Sequence, residues 1–129
     1  MRAIEKNIIK VLEELKDADY MAWNNCSLSV RDSIYKDRET MRYKLWNNII
    51  FEYNRKENTY YFSLCGYSTH TTKSRLNAIF NYFNLGGLYQ KNYVVYWNNG
   101  STKIEVDTSK KYEIVFLAEH AIKIEAVNE

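Results

Sequence analysis

The chain has 129 residues, of which 46% are hydrophobic and 26% charged, and its formal net charge is +2. This length favours one domain over residues 1–129 that buries its own core without metals or disulfides, and the small net charge argues against high nonspecific affinity for nucleic acid. No apolar run approaches the ~18 residues of a membrane span, and acids among the first residues do not fit a signal peptide, so we expect no membrane association.

Tyrosine is abundant and acidic residues are unevenly placed. The chain has 12 Tyr, 3 Trp and 5 Phe. Tyr and Trp are enriched where proteins contact partners, but small β-rich domains also use them for core and cross-strand packing. The segment from Asn58 to Ile104 contains no Asp or Glu. This favours contact with a phosphate backbone or an acidic protein surface, although burial of strands and an apolar helix would also account for it.

The N-terminal segment has helical hydrophobic spacing. Its apolar residues are three or four positions apart, and Glu, Lys and Asp fill the other face: Ile4, Ile8, Val11, Leu12 and Leu15 form the stripe. This spacing predicts an amphipathic helix from about Ala3 to Lys16 that covers the core.

The hydrophobic period then changes to two. Apolar and polar residues alternate near residues 27–31, 41–45, 49–53 and 59–64, with Asn-rich or charged turns between the later segments. This pattern is typical of consecutive antiparallel strands joined by short turns. The charged segment from Asp32 to Thr40 predicts a solvated loop or a twisted edge, and we assign no element to it.

A second helix is predicted from about Lys73 to Asn84. Its apolar stripe is Leu76, Ile79, Phe80 and Phe83, which follows helical spacing. Thr71 or Thr72 can cap the first turn, and the pair at 86–87 supplies a glycine stop.

Strands are expected again after this helix, near residues 88–90, 93–97, 102–106 and 112–117. Asn98-Asn99-Gly100 is a hairpin signal, and the tail from Ala118 to Glu129 predicts a strand end or a frayed helix. The resulting fold class is α+β: an antiparallel meander sheet with an N-terminal amphipathic helix and one short central helix.

No pattern in the chain indicates catalysis, a metal site or a cofactor. The two histidines, His70 and His120, lack the spacing of a zinc site. Cys65 and His70 could form a thiol–imidazole pair, but no third group is placed to orient them, and a buried Cys at a strand end is commoner. We therefore expect a protein that is not an enzyme. Two widely spaced cysteines, Cys26 and Cys65, fit thiols in a reducing compartment, and a single disulfide between them is the alternative.

The start of the central helix has features of an anion-binding site. A helix N-terminus presents free N–H groups and a partial positive charge. Thr71 and Thr72 add hydroxyls there, and Lys73 and Arg75 add cations that oppose the helix dipole unless an anion is bound. The alternative is that the threonines only cap the helix while Lys73 and Arg75 point into water.

The segment 61–67 leading into 71–79 resembles a motif of small proteins encoded by tailed bacteriophages. In that family, a strand ending in glycine and an aromatic residue leads into a Thr-Thr-x-x-Arg-Leu-Asn-Ala helix start. Segments 45–50, 89–92 and 96–100 are also similar, so the resemblance covers about residues 27–106. The chain lacks the proline often found after the motif glycine, and its charged stretch at 32–40 is longer. The resemblance implies a viral accessory protein in the host cytoplasm and no particular activity.

The first functional hypothesis is a phage accessory protein that binds and inhibits a host defence protein, such as an anti-CRISPR protein that blocks a Cas nuclease. The alternatives are direct binding of single-stranded DNA or RNA, and binding of a small phosphorylated ligand near Thr72. For all three we expect the partner- or anion-binding residues to share one open, positive surface: Tyr67, Thr71, Thr72, Lys73, Arg75, Tyr89, Lys91, Tyr96 and Trp97. Further tyrosine anchors would be Tyr60, Tyr61 and Tyr93.

Overall fold

The structure, a computed structural model, describes residues 3–16, 24–27, 31–117 and 121–127. Within these ranges the chain forms two helices and ten strands: α1 (Ala3–Lys16), β1 (Asn24–Ser27), β2 (Asp32–Asp37), β3 (Thr40–Leu45), β4 (Asn48–Asn54), β5 (Thr59–Ser63), α2 (His70–Phe83), β6 (Gly87–Lys91), β7 (Val94–Asn98), β8 (Lys103–Val106), β9 (Lys111–Phe116) and β10 (Ile122–Ala126). Two helices added to antiparallel strands confirm the predicted α+β class.

The strands fall into two antiparallel sheets. The larger has the order β1-β2-β3-β4-β5-β9-β10, and the smaller has the order β6-β7-β8. After β5 the chain leaves the large sheet, forms α2 and the small sheet, and returns as β9 beside β5, where Tyr60 lies opposite Ile114. The predicted antiparallel meander therefore holds from β1 to β5, but β6–β8 form a sheet of their own. Both sheets share the period-two pattern, so the alternation could not separate them.

The charged segment 32–40, predicted as a loop or a twisted edge, is strand β2 and its turn into β3. Asp32, Ile34 and Lys36 point to one face and are all buried, at 1%, 0% and 3% exposure. Charged side chains signal solvent only when they lack a buried partner. Asp32 has such a partner, which explains why its charge misled the prediction.

The core lies where the helices meet the sheets. From α1, Ile8 and Leu12 are buried. From α2, the Phe80 ring meets Phe51 of β4 and Phe62 of β5 edge-on, with centroid distances of 6.3 and 5.1 Å. Edge-to-face contacts of this kind add to the free energy of burying the rings.

Helix α2 begins and ends slightly earlier than predicted. Thr69 is its N-cap, and its side-chain oxygen accepts a hydrogen bond from the backbone N–H of Thr72 at 3.2 Å. The helix ends at Phe83, and Asn84 is its C-cap in the left-handed conformation with φ 59°. Thr71 and Thr72 are thus not the cap, and the helix ends before the two glycines, because Asn tolerates positive φ.

Some predictions fall partly outside the described residues. The alternation at Leu28 and Val30 lies outside them, as do His120 and the side chain of Cys26. Within the tail, β10 pairs with β9, with Ile124 opposite Ile114. The strand alternative for the tail is therefore the one that the described part of the chain shows.

Candidate binding cleft

An open cleft with a volume of about 400 Å³ lies at one end of the large sheet. Four pieces of chain form it: the residue before β2, the β3–β4 turn with its flanking strand residues, the loop from β5 to α2, and the first turn of α2. Its lining residues, which define the cleft below, are Arg31, Leu45, Trp46, Asn48, Ile50, Leu64, Cys65, Tyr67, Thr69, Thr71 and Thr72.

Two exposed aromatic side chains lie at the cleft. Trp46 is 64% exposed and Tyr67 is 55% exposed. Most large apolar side chains in the described part of the chain are buried, so two exposed rings beside one concavity point to a binding surface. Trp, Tyr and Arg are the residues most enriched among those that dominate binding energy at protein interfaces, and Arg31 supplies the third type here.

Trp46 is held in an unfavourable backbone conformation. Its φ is 58°, in the left-handed region that bulky residues rarely adopt. Its backbone N–H donates a 2.6 Å hydrogen bond to the Arg31 carbonyl, which fixes the turn beside the cleft. Strained positions of this kind concentrate at functional sites, where the surrounding structure compensates for them.

The floor of the cleft is apolar. Leu45, Ile50 and Leu64 are 5%, 1% and 1% exposed. Cys65 lies at the edge of this floor, half-buried, and its thiol donates to the Ile49 carbonyl at 3.3 Å. Cys65 is a free thiol. An apolar floor with a few polar groups at its border is typical of sites that receive a side chain or a small ligand.

Hydroxyl groups form the α2 side of the cleft. The Thr69 and Thr72 hydroxyl oxygens are 3.0 Å apart, and Thr69 also caps the helix. Thr72 is buried, whereas Thr71 is half-buried and Thr69 exposed. These hydroxyls already serve the helix start, so they contribute orientation and hydrogen-bonding capacity more than a vacant anion cradle.

The structure does not place all the predicted binding residues on one open surface. Tyr67, Thr71 and Thr72 do meet in the cleft. The Lys73 side chain instead extends to the small sheet, where it donates a hydrogen bond to the Gln90 side chain. The others divide between the interior and the small sheet, as the next paragraphs describe.

Arg75 is buried, so the expectation that it lies on an open surface is wrong. It is 4% exposed, and its Nε donates a 2.8 Å hydrogen bond to Asp32. The Tyr43 hydroxyl donates to the same carboxylate oxygen at 2.5 Å. Burial, with the hydrogen bond to Asp32 and its negative charge, raises the pKa of Tyr43 well above its usual range. A charge compensated in this way holds the fold together and does not bind an external anion.

Trp97 is also buried, against expectation. Its exposure is 0%, and its indole N–H donates to the Leu85 carbonyl at 2.9 Å. Gly86 covers this ring with φ 85°, and a Cβ there would lie 2.7 Å from the Asn98 carbonyl oxygen. Trp97 is therefore the centre of the small sheet's packing, and no partner could reach it.

Tyr89, Lys91 and Tyr96 lie on the outer face of the small sheet, away from the cleft. Tyr89 is opposite Tyr96 in the register of β6 and β7, and their rings stack with centroids 5.4 Å apart. We call this surface the tyrosine face: Tyr89, Lys91, Tyr96, Lys103 and Glu105, with Tyr93 at the hairpin tip.

The sequence reasoning missed Trp46, Arg31 and Cys65 as cleft residues. Trp46 did carry a usable signal, because a large aromatic residue in a polar two-residue turn between strands has no packing reason to be there. Arg31 and Cys65 carried none, since only the fold brings them to Trp46. Among the described residues, no three His, Cys, Asp or Glu side chains come together as metal ligands would. None of the helices in the described ranges is long and apolar enough to cross a membrane.

Comparison with known proteins gives one family. The family model described as Kyanoviridae Gp96 protein matches residues 1–123. This match covers more of the chain than the resemblance noted at residues 27–106, and it confirms the expected phage origin without bearing on the Thr-Thr-x-x-Arg-Leu-Asn-Ala motif. No curated protein and no solved structure is detectably similar to the chain.

Proposed function

The chain belongs to the Kyanoviridae Gp96 protein family, a family of phage proteins, and we propose that it is an accessory protein that acts without catalysis, inside the infected cell, by binding a host protein. The more specific version is that this partner is a host defence protein, such as a CRISPR–Cas nuclease, which the phage protein inhibits. The family membership supports the phage part of this proposal, and the partner class is our inference.

The single observation that carries the proposal is the pair of exposed rings at an apolar-floored cleft. Trp46 and Tyr67 expose more than half of their surface to water, beside the buried floor residue Leu64. Exposed apolar surface is costly in water, and an anchor side chain from a partner would remove it from solvent. In protein interfaces such pockets with aromatic rims hold the few contacts that dominate affinity.

A small phosphorylated ligand at the start of α2 has weaker support. The amide of Thr72 is already bonded to Thr69, and Arg75 is already paired with Asp32. The Thr72 amide and the Arg75 guanidinium, two of the groups that an anion would use at this helix start, are thus engaged within the protein. Direct nucleic-acid binding concerns a different surface and is taken up below.

The test is affinity capture from a bacterium that the phage infects, followed by measurement with the purified partner. The double variant Trp46→Ala/Tyr67→Ala is compared with Tyr93→Ala, which removes a ring that is even more exposed (96%) from the small sheet. We expect the double variant to lose at least about 30-fold in affinity, as removal of a dominant interface residue costs about 2 kcal/mol or more. Tyr93→Ala should bind as the unchanged protein does.

Thermal unfolding of all three proteins controls for misfolding, because both rings are mostly exposed and their loss should change the midpoint little. Equal capture of the same host protein by the unchanged chain and the double variant would refute the role of the cleft. If a captured nuclease is inhibited by the unchanged chain and not by the double variant, the defence-inhibitor version is supported.

A further inference from the structure

The tyrosine face combines aromatic rings and lysines on one side of a three-stranded sheet. Tyr89 lies opposite Tyr96, Tyr96 opposite Glu105, and Asn98 opposite Lys103. Cross-strand neighbours project from the same face of a sheet, and residues two apart on a strand also share a face. Lys91 therefore follows Tyr89 on this side. The opposite side carries Leu88 and Trp97, which are buried.

The rings of this face are accessible and supported by a cation. Tyr89 and Tyr96 are half-buried and stack on each other. The Lys103 Nζ lies 4.2 Å from the Tyr96 ring centroid and 5.9 Å from that of Tyr89. A lysine at this distance is attracted by the ring, so its charge is held over the aromatic surface while the side chain stays exposed.

Tyr93 extends this surface at the tip of the β6–β7 hairpin. It is 96% exposed, and its φ is 67° beside Asn92 at 51°. Consecutive positive φ values are those of a tight hairpin turn in which Asn and Gly are preferred. A tyrosine at the second position of the turn adopts an unfavourable backbone conformation, and its side chain is not buried in return. Packing therefore does not explain its presence there.

The charge of this region favours a phosphate-bearing partner. Lys91 and Lys103 are both exposed, and the chain carries no Asp or Glu from residue 58 to residue 104. Glu105, exposed and opposite Tyr96, is the one acid on the tyrosine face as defined. Flat sheets with half-exposed aromatic residues and nearby lysines accept unpaired bases by stacking, whereas the bases of a duplex are hidden in their own stack.

We infer that the tyrosine face binds single-stranded nucleic acid, with bases stacked on Tyr93 and on the Tyr89–Tyr96 pair and with phosphates contacted by Lys91 and Lys103. This activity goes beyond the proposed function and uses none of the cleft residues. Two lysines give a weak, sequence-tolerant site, with a dissociation constant on the order of 10⁻⁴ to 10⁻⁶ M.

The experiment is fluorescence anisotropy of the full chain with short labelled single-stranded DNA, single-stranded RNA and the matched duplex. Single strands should bind more tightly than the duplex. Affinity should fall roughly sevenfold between about 50 and 200 mM salt, because each phosphate contact on a single strand contributes a logarithmic slope of about −0.7. Tyr93→Ala should weaken binding about fivefold or more, the loss expected for one stacking ring. Because the Tyr93 side chain is almost fully exposed, its removal should not unfold the protein, so a loss of binding would not be due to misfolding.

Charge variants provide a test in both directions. Lys103→Gln should weaken binding and flatten the salt dependence, while Glu105→Gln should strengthen binding because it removes the acid from this face. Tyr96→Phe, which keeps the ring, should bind like the unchanged chain. Lys56→Gln, an exposed lysine in the β4–β5 turn, is the matched control and should have no effect.

The inference is overturned if no single strand binds saturably, or if Tyr93→Ala and Lys103→Gln bind as the unchanged chain does. It is also overturned if these variants reduce binding of a host protein while no oligonucleotide binds, since the face would then be a protein-docking surface. Because Trp46→Ala/Tyr67→Ala should bind oligonucleotides normally, failure here and failure of the cleft proposal are distinguishable.

Discussion

Arg75 of α2 and Asp32 of β2 form an ion pair inside the protein, with 2.8 Å between Nε and Oδ1 and side-chain exposures of 4% and 0%. Asp32 also accepts the Tyr43 hydroxyl, and the exposed Arg31 guanidinium lies 3.7 Å from its second oxygen. Since Arg31 lines the cleft, this carboxylate joins the buried anchor of α2 to the wall of the candidate binding site. The cleft wall is therefore linked to a buried, hydrogen-bonded ion pair.

Breaking this pair from one side should be severely destabilising. Asp32→Ala leaves the Arg75 charge buried without its carboxylate, and we expect a loss of about 3–5 kcal/mol in the free energy of unfolding. The double variant Asp32→Leu/Arg75→Met replaces both charges with apolar groups and should recover much of that loss. Urea denaturation of Asp32→Leu, Arg75→Met and the double variant measures the coupling.

The matched control for that cycle is a surface pair. Lys123 and Glu125 are 2.6 Å apart but 40% and 54% exposed, so Lys123→Gln should change stability by no more than about 0.5 kcal/mol. If Asp32→Ala costs no more than this control, the buried pair does not anchor α2.

The fate of Arg75 shows what the sequence could and could not predict. Periodicity placed Leu76, Ile79 and Phe80 on the core side, because apolar spacing directly reports burial. It gave no sign that Arg75 is buried too, since a buried cation depends on a partner 43 residues away in the chain. The prediction of a solvated segment at β2 and the prediction of an exposed Arg75 thus fail for the same reason. Asp32 and Arg75 are both buried because each is the other's partner.

The cleft was only partly predictable for a similar reason. Tyr67, Thr71 and Thr72 are close in sequence, so a local pattern could bring them together. Trp46 joins them only because the β3–β4 turn and the β5–α2 loop lie at the same end of the sheet. The sequence predicts that the tyrosines of the small sheet and the threonines share one binding surface. The two groups are separated because β6–β8 form a second sheet, which the alternation of apolar and polar residues does not distinguish from the first.

The buried Tyr43 hydroxyl should make the protein sensitive to alkali. Its pKa is raised above the ordinary value of 10, chiefly by burial and then by Asp32. The folded chain therefore keeps this proton where the unfolded chain has lost it. Its contribution to stability is complete below about pH 10 and declines as the pH rises from there toward the folded-state pKa, by up to about 1.4 kcal/mol per pH unit.

Urea denaturation across this pH range measures the effect in the unchanged chain and in Tyr43→Phe. The variant should lose about 1.5–3 kcal/mol at neutral pH with the hydrogen bond to a charged group, and it should show a shallower alkaline decline. Part of the decline should remain, because burial and then Tyr53 also raise the pKa of Tyr60. An alkaline decline of unchanged slope in Tyr43→Phe would contradict this account.

Asn77 should hold the small sheet onto α2. Its side-chain amide donates to the Leu88 carbonyl at 3.0 Å, and its side-chain oxygen accepts from the Leu88 N–H at 2.7 Å. Both bonds are lost in Asn77→Ala, for which we expect about 1–3 kcal/mol of destabilisation. Hydrogen exchange should accelerate first at the β6 amides, since local opening precedes global unfolding there.

Asn81 is the control for this effect because it lies on the same helix and is exposed. Asn81→Ala should be neutral or slightly stabilising, as alanine has the higher helix propensity. Faster exchange throughout the large sheet in Asn77→Ala, with no preference for β6, would show that the amide does not act as a local tie.

Trp46 allows a direct separation of binding from folding. Its φ of 58° lies in the left-handed region, which asparagine tolerates better than a bulky residue does. Asn58, Asn84 and Asn92 occupy this region at 54°, 59° and 51°, although Arg38, Cys65 and Tyr93 do so as well. Trp46→Asn should relieve strain of about 1 kcal/mol, and little burial is lost because the ring is 64% exposed. We therefore expect an unfolding free energy equal to or above that of the unchanged chain, together with at least about a tenfold loss of affinity for the captured host protein. A variant that loses stability and keeps its affinity would mean that Trp46 is retained for packing and that the cleft needs a different anchor.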